Sequence, residues 1–220
     1  GLRVLGKLTA VGTATQPITF TGQFTTPVAG WWDGISVVGT ENAPITGSAL
    51  SYVTLDYGGN YYANLYLSYA TVTVTNSLLR GSSQDGLYAW LGGLANITDT
   101  TFTNNQDYAL RFYDGSVNPS LARLTATGNG YNLVAMGGGT ISGSRTWGTA
   151  GLPYNITGDE TVAQDAILTV QPGTEVRFDR YAGLRVLGKL TALGTATQPI
   201  TFTGQFTTPL AGWWDGISVV

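Results

Sequence analysis

Five side chains in this chain are spaced as a recognition surface would require: Tyr66, Tyr88, Trp90, Arg111 and Tyr113. Tyr66 and Tyr88 lie 22 residues apart, Tyr88 and Arg111 lie 23 apart, and Trp90 and Tyr113 also lie 23 apart. Rings and a guanidinium recurring at one step can gather on a single face, and such groups dominate the energetics of contact surfaces. Residues for covalent or acid–base chemistry are scarce. The 220 residues include no histidine and no cysteine, which removes the commonest general base, thiolate catalysis, disulfides and cysteine-based metal sites. Thirteen acidic residues remain. To hold a cation they would have to recur at the same step, and they do not. Twenty-three residues beyond Asp85 stands Tyr108, beyond Asp99 stands Ala122, and beyond Asp107 stands Gly130. Asp33 does step to Asp56, but an apparent looped insertion, GTENAPITG, lies between them. Two carboxylates could still meet a glycosidic bond from neighbouring faces. Turn chemistry is the simpler role, because Asp33, Asp85, Asp114 and Asp215 each precede glycine. No catalytic residue, cofactor or metal is expected.

The elements that position these residues are short strands. Nowhere do apolar residues recur at helical spacing over ten positions without glycine or proline. Alternating runs such as TVTVT (71–75), ILTV (167–170) and EVRF (175–178) are bounded by glycine, asparagine, aspartate or proline, which reads as strands separated by tight turns. Leu87, Leu110 and Leu133 keep a step of 23 residues, as do Ala89, Phe112 and Ala135, and Leu79, Phe102 and Thr125. Leu65 and Leu67 stand 22 residues before Leu87 and Ala89, and Ile35 and Val37 stand 30 before Leu65 and Leu67. A period near 23 with several strands in it describes one coil of an all-β parallel solenoid, whose apolar faces are buried only by stacking. Leu87, Leu110 and Leu133 are then expected to stack inward. Alternation along each strand places the five recognition residues outward, in one column of Ser36, Tyr66, Tyr88, Arg111 and Val134 and another of Val38, Ser68, Trp90, Tyr113 and Met136. A flat threonine array is not expected. The 23-residue step carries Thr73 to Asn96 and Thr103 to Ala126, and Thr101 falls between Leu78 and Leu124.

A second, longer period overlies the first. Gly1–Val38 recurs as Gly183–Val220 with two changes, Val11 to Leu193 and Val28 to Leu210. The chain therefore reads as one 182-residue unit, residues 1–182, and the opening of another, residues 183–220, in one continuous solenoid. The second copy is expected to follow the first by translation along the axis with a modest twist.

The segment LPYNITGDETVAQDAILTVQPGTEVRF (152–178), running on through AGLRVLGKLTALGTATQPITFTG (182–204), resembles the right-handed parallel β-helix repeat proteins of the pectin-lyase-like superfamily. That resemblance implies a right-handed coil and membership among large bacterial surface and secreted proteins. Polygalacturonase-like members share NTD, DD, HG and RIK motifs, and this sequence has ITDTT at Asp99 but no adjacent aspartates, no histidine and no RIK. Pectate-lyase-like members hold calcium with clustered acids, and no such ladder forms here. The resemblance points to the non-catalytic type.

Composition narrows the partners. The net charge is −3 with lysine only at Lys7 and Lys189, which opposes nucleic-acid binding. No apolar run approaches the roughly 20 residues of a membrane span. The function expected is a structural or adhesive repeat of a long extracellular or cell-surface fibre. Its partners would be further copies end to end, neighbouring rods or surface glycans. The alternative is a carbohydrate-binding or carbohydrate-cleaving β-helix.

Overall fold

The computed structural model describes residues 1–23, 25–206, 208 and 210–220. Its elements are all strands, and each circuit of the chain lays down three. The first circuit is β1 (Leu2–Val4), β2 (Thr9–Val11) and β3 (Ile18–Phe20); the second is β4 (Ile35–Val38), β5 (Ile45–Ser51) and β6 (Val53–Asp56). The third is β7 (Ala63–Ser68), β8 (Ala70–Thr75) and β9 (Leu78–Arg80). The fourth is β10 (Asp85–Trp90), β11 (Leu94–Thr98) and β12 (Thr101–Thr103). The fifth is β13 (Tyr108–Phe112), β14 (Leu121–Ala122) and β15 (Thr125–Thr127). Then come β16 (Tyr131–Met136), β17 (Gly139–Ile141) and β18 (Ser144–Trp147), followed by β19 (Tyr154–Ile156), β20 (Glu160–Val162) and β21 (Ile167–Val170). The last are β22 (Glu175–Phe178), β23 (Gly183–Val186), β24 (Lys189–Ala192), β25 (Thr201–Gly204) and β26 (Gly216–Val219).

Stacking these circuits gives a parallel β-solenoid with coils of about 24 residues. One long sheet of nine strands, β1-β4-β7-β10-β13-β16-β19-β22-β25, runs its whole length. The second sheet, β2-β5-β8-β11-β14, and the third, β3-β6-β9-β12-β15, stop after the fifth circuit. A fourth, β17-β20-β23-β26, and a fifth, β18-β21-β24, begin in the sixth. Every pairing within these sheets is parallel. Alternation fills the interior. Val72, Val74, Leu87, Ala95, Ile97 and Phe102 are buried in one apolar cluster, each large side chain contributing about 1.5–3 kcal/mol of transfer free energy.

The corner between second and third sheets is made without a loop. Tyr52, Asn76, Asp99 and Arg123, one per coil, have φ of 50°, 49°, 51° and 52°. A non-glycine residue in this left-handed region is strained, of order 1–3 kcal/mol, and parallel ladders on either side hold it there. Ser77 Oγ donates to Thr75 O (2.8 Å) and accepts from Val53 N (3.1 Å), satisfying backbone groups that the bend frees.

Register departs from the sequence expectation at β16. Leu87 pairs with Leu110, but Leu110 pairs with Val134, after a shift between Tyr108 and Leu110. Val134 is fully buried inside, and Leu133 lies on the opposite side of the strand. The expected outward positions of Val134 and Met136 are corrected in the same way: Met136 pairs with inward Phe112, and Ala135 follows Arg111. The cause is one extra residue in this circuit. A separate 24-residue step, which returns to 23 at Tyr108 and Tyr131, pairs Phe102 with Ala126 rather than Thr125, and Thr101 with Thr125 rather than the Leu124 position. The two threonine hydroxyls lie 2.8 Å apart. Thr103 pairs with Thr127. The insertion GTENAPITG is only partly looped out, since a turn closed by the Thr40–Ala43 bridge leads directly into β5 at Ile45.

The exchange of sheets has a chemical seam. Arg145 is buried and donates to the carbonyls of Gly115 and Ser116. Its guanidinium lies 3.6 Å from the carboxylate of buried Glu160. Burial pushes the Glu160 carboxyl up to about 8, against the pull of Arg145. The same burial lowers the Arg145 value.

The second copy keeps its strands but changes its face. β23, β24, β25 and β26 occupy the copied positions of β1, β2, β3 and β4. Yet β1 and β4 belong to the long sheet, whereas β23 and β26 belong to the fourth. A translation with modest twist would have returned β23 to the long sheet. That expectation is corrected.

Candidate contact face

The long sheet brings the five recognition residues together on its outer surface. Tyr66 stands beside Tyr88, and Tyr88 beside Arg111, on adjacent strands. Trp90 pairs with Ser68, and Tyr113 follows Phe112, the partner of Ala89. The rings form a connected path: Tyr62 stacks on Tyr66 at 4.6 Å, Tyr66 meets Tyr88 at 5.9 Å, and Tyr88 meets Trp90 edge-on at 5.8 Å. Trp90 and Tyr113 are closest, with centroids 3.9 Å apart.

Arg111 is built into this face. Its Nη2 donates to Asp85 (2.9 Å) and to Asp107 (2.6 Å). Its guanidinium carbon lies 4.7 Å from the Tyr108 ring centre and 5.1 Å from that of Tyr88, within the range of cation–π attraction. Burial pushes Asp85 up to about 6, opposed by Arg111. Burial also pushes Tyr88 and Tyr108 up to about 12 and raises Tyr66. Burial alone would lower Arg111, but its bond to Asp85 and the nearby carboxylates raise it.

Exposure is uneven. Tyr113 is 50% exposed, Tyr88 only 9%, and Tyr66, Trp90 and Arg111 lie between. Tyr62 and Tyr131, outside the sequence columns, also present exposed rings. Tyr131 stacks on Tyr108 at 4.6 Å. Their signal was hidden because both lie at strand ends, where alternation no longer tells in from out.

Two of the open grooves on the outer surface are built from the same copied residues. Leu2, Arg3, Asp33 and Ser36 line one beside Tyr62 and Tyr66, and the copied Leu184, Arg185, Asp215 and Ser218 line the other beside Asp159 and Glu160. The turn feeding both is Asp-Gly, with φ of +86° at Gly34 and at Gly216, a conformation that favours glycine.

A polar column inside the coil has no sequence counterpart. Asn105 Oδ1 accepts from Ser82 N (3.0 Å), and its Nδ2 donates to Asn129 Oδ1 (2.8 Å) and Leu79 O (3.2 Å). Asn129 in turn donates to Asn132 (2.8 Å), and Asn64 joins Asn105 at 3.3 Å. Uneven spacing of these asparagines conceals the ladder.

Among the described residues no cluster of three or more acids is placed to hold a metal ion. Among the same residues no helix is long and apolar enough to cross a membrane. No family model, curated protein or solved structure matches the chain.

Proposed function

We propose that the chain is a rod-forming segment of a long extracellular or cell-surface fibre, built from tandem 182-residue units of a non-catalytic β-helix. The observation that carries this reading is the way each copy completes the other. Leu2 is 38% exposed, and its copy Leu184, under β20, is 1% exposed. Conversely Ile35 and Val37 are fully buried, and their copies Ile217 and Val219 are 37% and 75% exposed. Residues of the copied segment thus have an apolar neighbour waiting on both sides. A unit followed directly by another satisfies both at once, with ladder hydrogen bonds crossing the boundary between Val162 and Val186. Resemblance to right-handed β-helix surface proteins supports the same reading, and the aromatic face supplies adhesive or bundling contacts.

Polypeptides of one, two and four units, imaged by electron microscopy, test it. Each added unit should lengthen a straight rod by about 35 Å, from seven circuits and a part at about 4.8 Å each. Beads joined at bends would overturn the reading. Trp90→Ser with Tyr113→Ser should weaken lateral association and leave the melting temperature nearly unchanged. A carbohydrate-binding role is the second reading, favoured by Arg3, Asp33 and Tyr62 around one open groove. Saturable binding of a soluble glycan, lost in Tyr62→Ala, would establish it.

A further inference from the structure

We infer that successive units are turned by one face of the solenoid, so that the aromatic–arginine face winds around the rod as a screw instead of forming a single stripe. This rests on the tandem reading above and goes beyond it. Strands follow one another in circuits of three among the described residues, and β1 and its copy β23 are twenty-two strands apart. That is seven circuits and one strand over. The fourth sheet of one unit therefore becomes the long sheet of the next, because β23 and β26 are the copies of β1 and β4. The long sheet in turn becomes the third sheet, because β25 is the copy of β3.

No single step makes the turn, which is the one strand left over when twenty-two are counted off in threes; the one interruption of the outer ladders lies elsewhere. The second and third sheets end at β14 and β15, and the fourth and fifth begin at β17 and β18. Between them lie the glycines 137–139, which let two chain segments approach: a Cβ at Gly138 would come 2.6 Å from Asp159 O, and at Gly139 3.1 Å from Ser116 N. Buried Arg145 and Glu160 lie against the same segment. Three units restore the starting face.

Consequences follow for contact. The groove of Arg3, Asp33 and Ser36 already appears on two different faces in this chain, as itself and as Arg185, Asp215 and Ser218. The Tyr66–Tyr113 face would do likewise in a longer array. Two parallel rods could then meet aromatic face to aromatic face only once in three units, about 100 Å along the axis at about 4.8 Å per circuit. Neighbours would be engaged on three sides.

The absence of cysteine gives a clean test in the 220-residue chain. Thr161→Cys with Arg185→Cys joins outward neighbours on β20 and β23, within the Cα separation that a disulfide spans. Arg177→Cys with Arg185→Cys joins β22 to β23, on different faces of one coil. The first pair should close on mild oxidation and the second should stay reduced. Closure of the second pair, or of neither, would overturn the inference. A four-unit polypeptide examined by cryo-electron microscopy separates the two claims. Aromatic faces on three sides, returning in the fourth unit, are expected. A straight rod with all four on one side would overturn the turning and leave the rod intact, whereas jointed units would overturn the rod reading itself.

Discussion

Leu110 and Leu133 show how much one residue of register decides. Leu110 is fully enclosed between Leu87 and Val134, so Leu110→Ala should cost about 2–5 kcal/mol in chemical denaturation, the range for a cavity left in a packed core. Leu133 is also buried, at 3% exposed, but lies on the other side of β16 from the interior cluster, and Leu133→Ala should cost distinctly less. Equal losses would return Leu133 to the interior. The buried carboxyls make a second prediction at this scale. Asp85 and Glu160 are raised by burial to about 6 and about 8. A carboxyl raised in the folded state binds its proton more tightly than in the unfolded chain. Its stabilising effect is complete below the unfolded value and is lost as pH rises through the folded one. Their contribution should therefore fall between about pH 4 and pH 8, and the melting temperature should drop across that window. Glu160→Gln should flatten the upper part of the drop, above pH 6. An unchanged slope would mean that Glu160 stays ionised beside Arg145.

At the scale of the elements, stability is shared between apolar stacking and the asparagine column. Asn105→Ala would remove the partner of Ser82 N and the side-chain bond to Leu79 O, and would take one bond each from the Asn64 and Asn129 amides, which keep Arg80 O and the residue-105 backbone N–H. Each buried group left unmade costs roughly 1–3 kcal/mol, so this one change should destabilise the middle circuits more than Asn64→Ala. Amide exchange should quicken first around residues 79–82 and 129. Faster exchange spread evenly along the solenoid would argue against a local ladder. The strands themselves were legible, because Leu65, Leu87 and Leu110 repeat at nearly one step and alternate cleanly. So were the neighbours Tyr66, Tyr88 and Arg111, which depend on that step. The slip at β16 was not, because the extra residue sits inside the strand between Tyr131 and Val134, where the run Leu133–Met136 is apolar on both sides and shows no alternation to break. Nor was the column of Asn64, Asn105 and Asn129, since the place one coil before Asn105 is taken by Ser82, and Asn64 reaches the ladder from the opening of that same coil. The seam at Arg145 and Glu160 was equally hidden, as nothing in the spacing of one arginine and one glutamate announces that a sheet ends there.

At the scale of the whole molecule, the duplication has a thermodynamic consequence that length alone would not give. In a solenoid each coil contacts only its neighbours, so stability is a sum of coil terms and interface terms. If the 182-residue unit were a domain, its boundary would be a weak interface and two units would melt separately. The boundary here lies inside continuous sheets: β20 pairs with β23, β21 with β24 and β22 with β25 across residue 182. The interface there is of the same kind as between any two coils. A two-unit polypeptide should therefore unfold in guanidinium in one transition, with a denaturant slope close to twice that of one unit, because that slope follows the surface exposed together. Fluorescence of Trp32 and its copies and far-ultraviolet circular dichroism should report the same midpoint. Two resolved transitions, or a slope unchanged on doubling the chain, would show that cooperativity ends at the repeat boundary. The weak point would then be the sheet exchange at residues 113–147, the one stretch where four of the five sheets are interrupted, and Arg145→Met with Glu160→Met should shift whichever transition contains it.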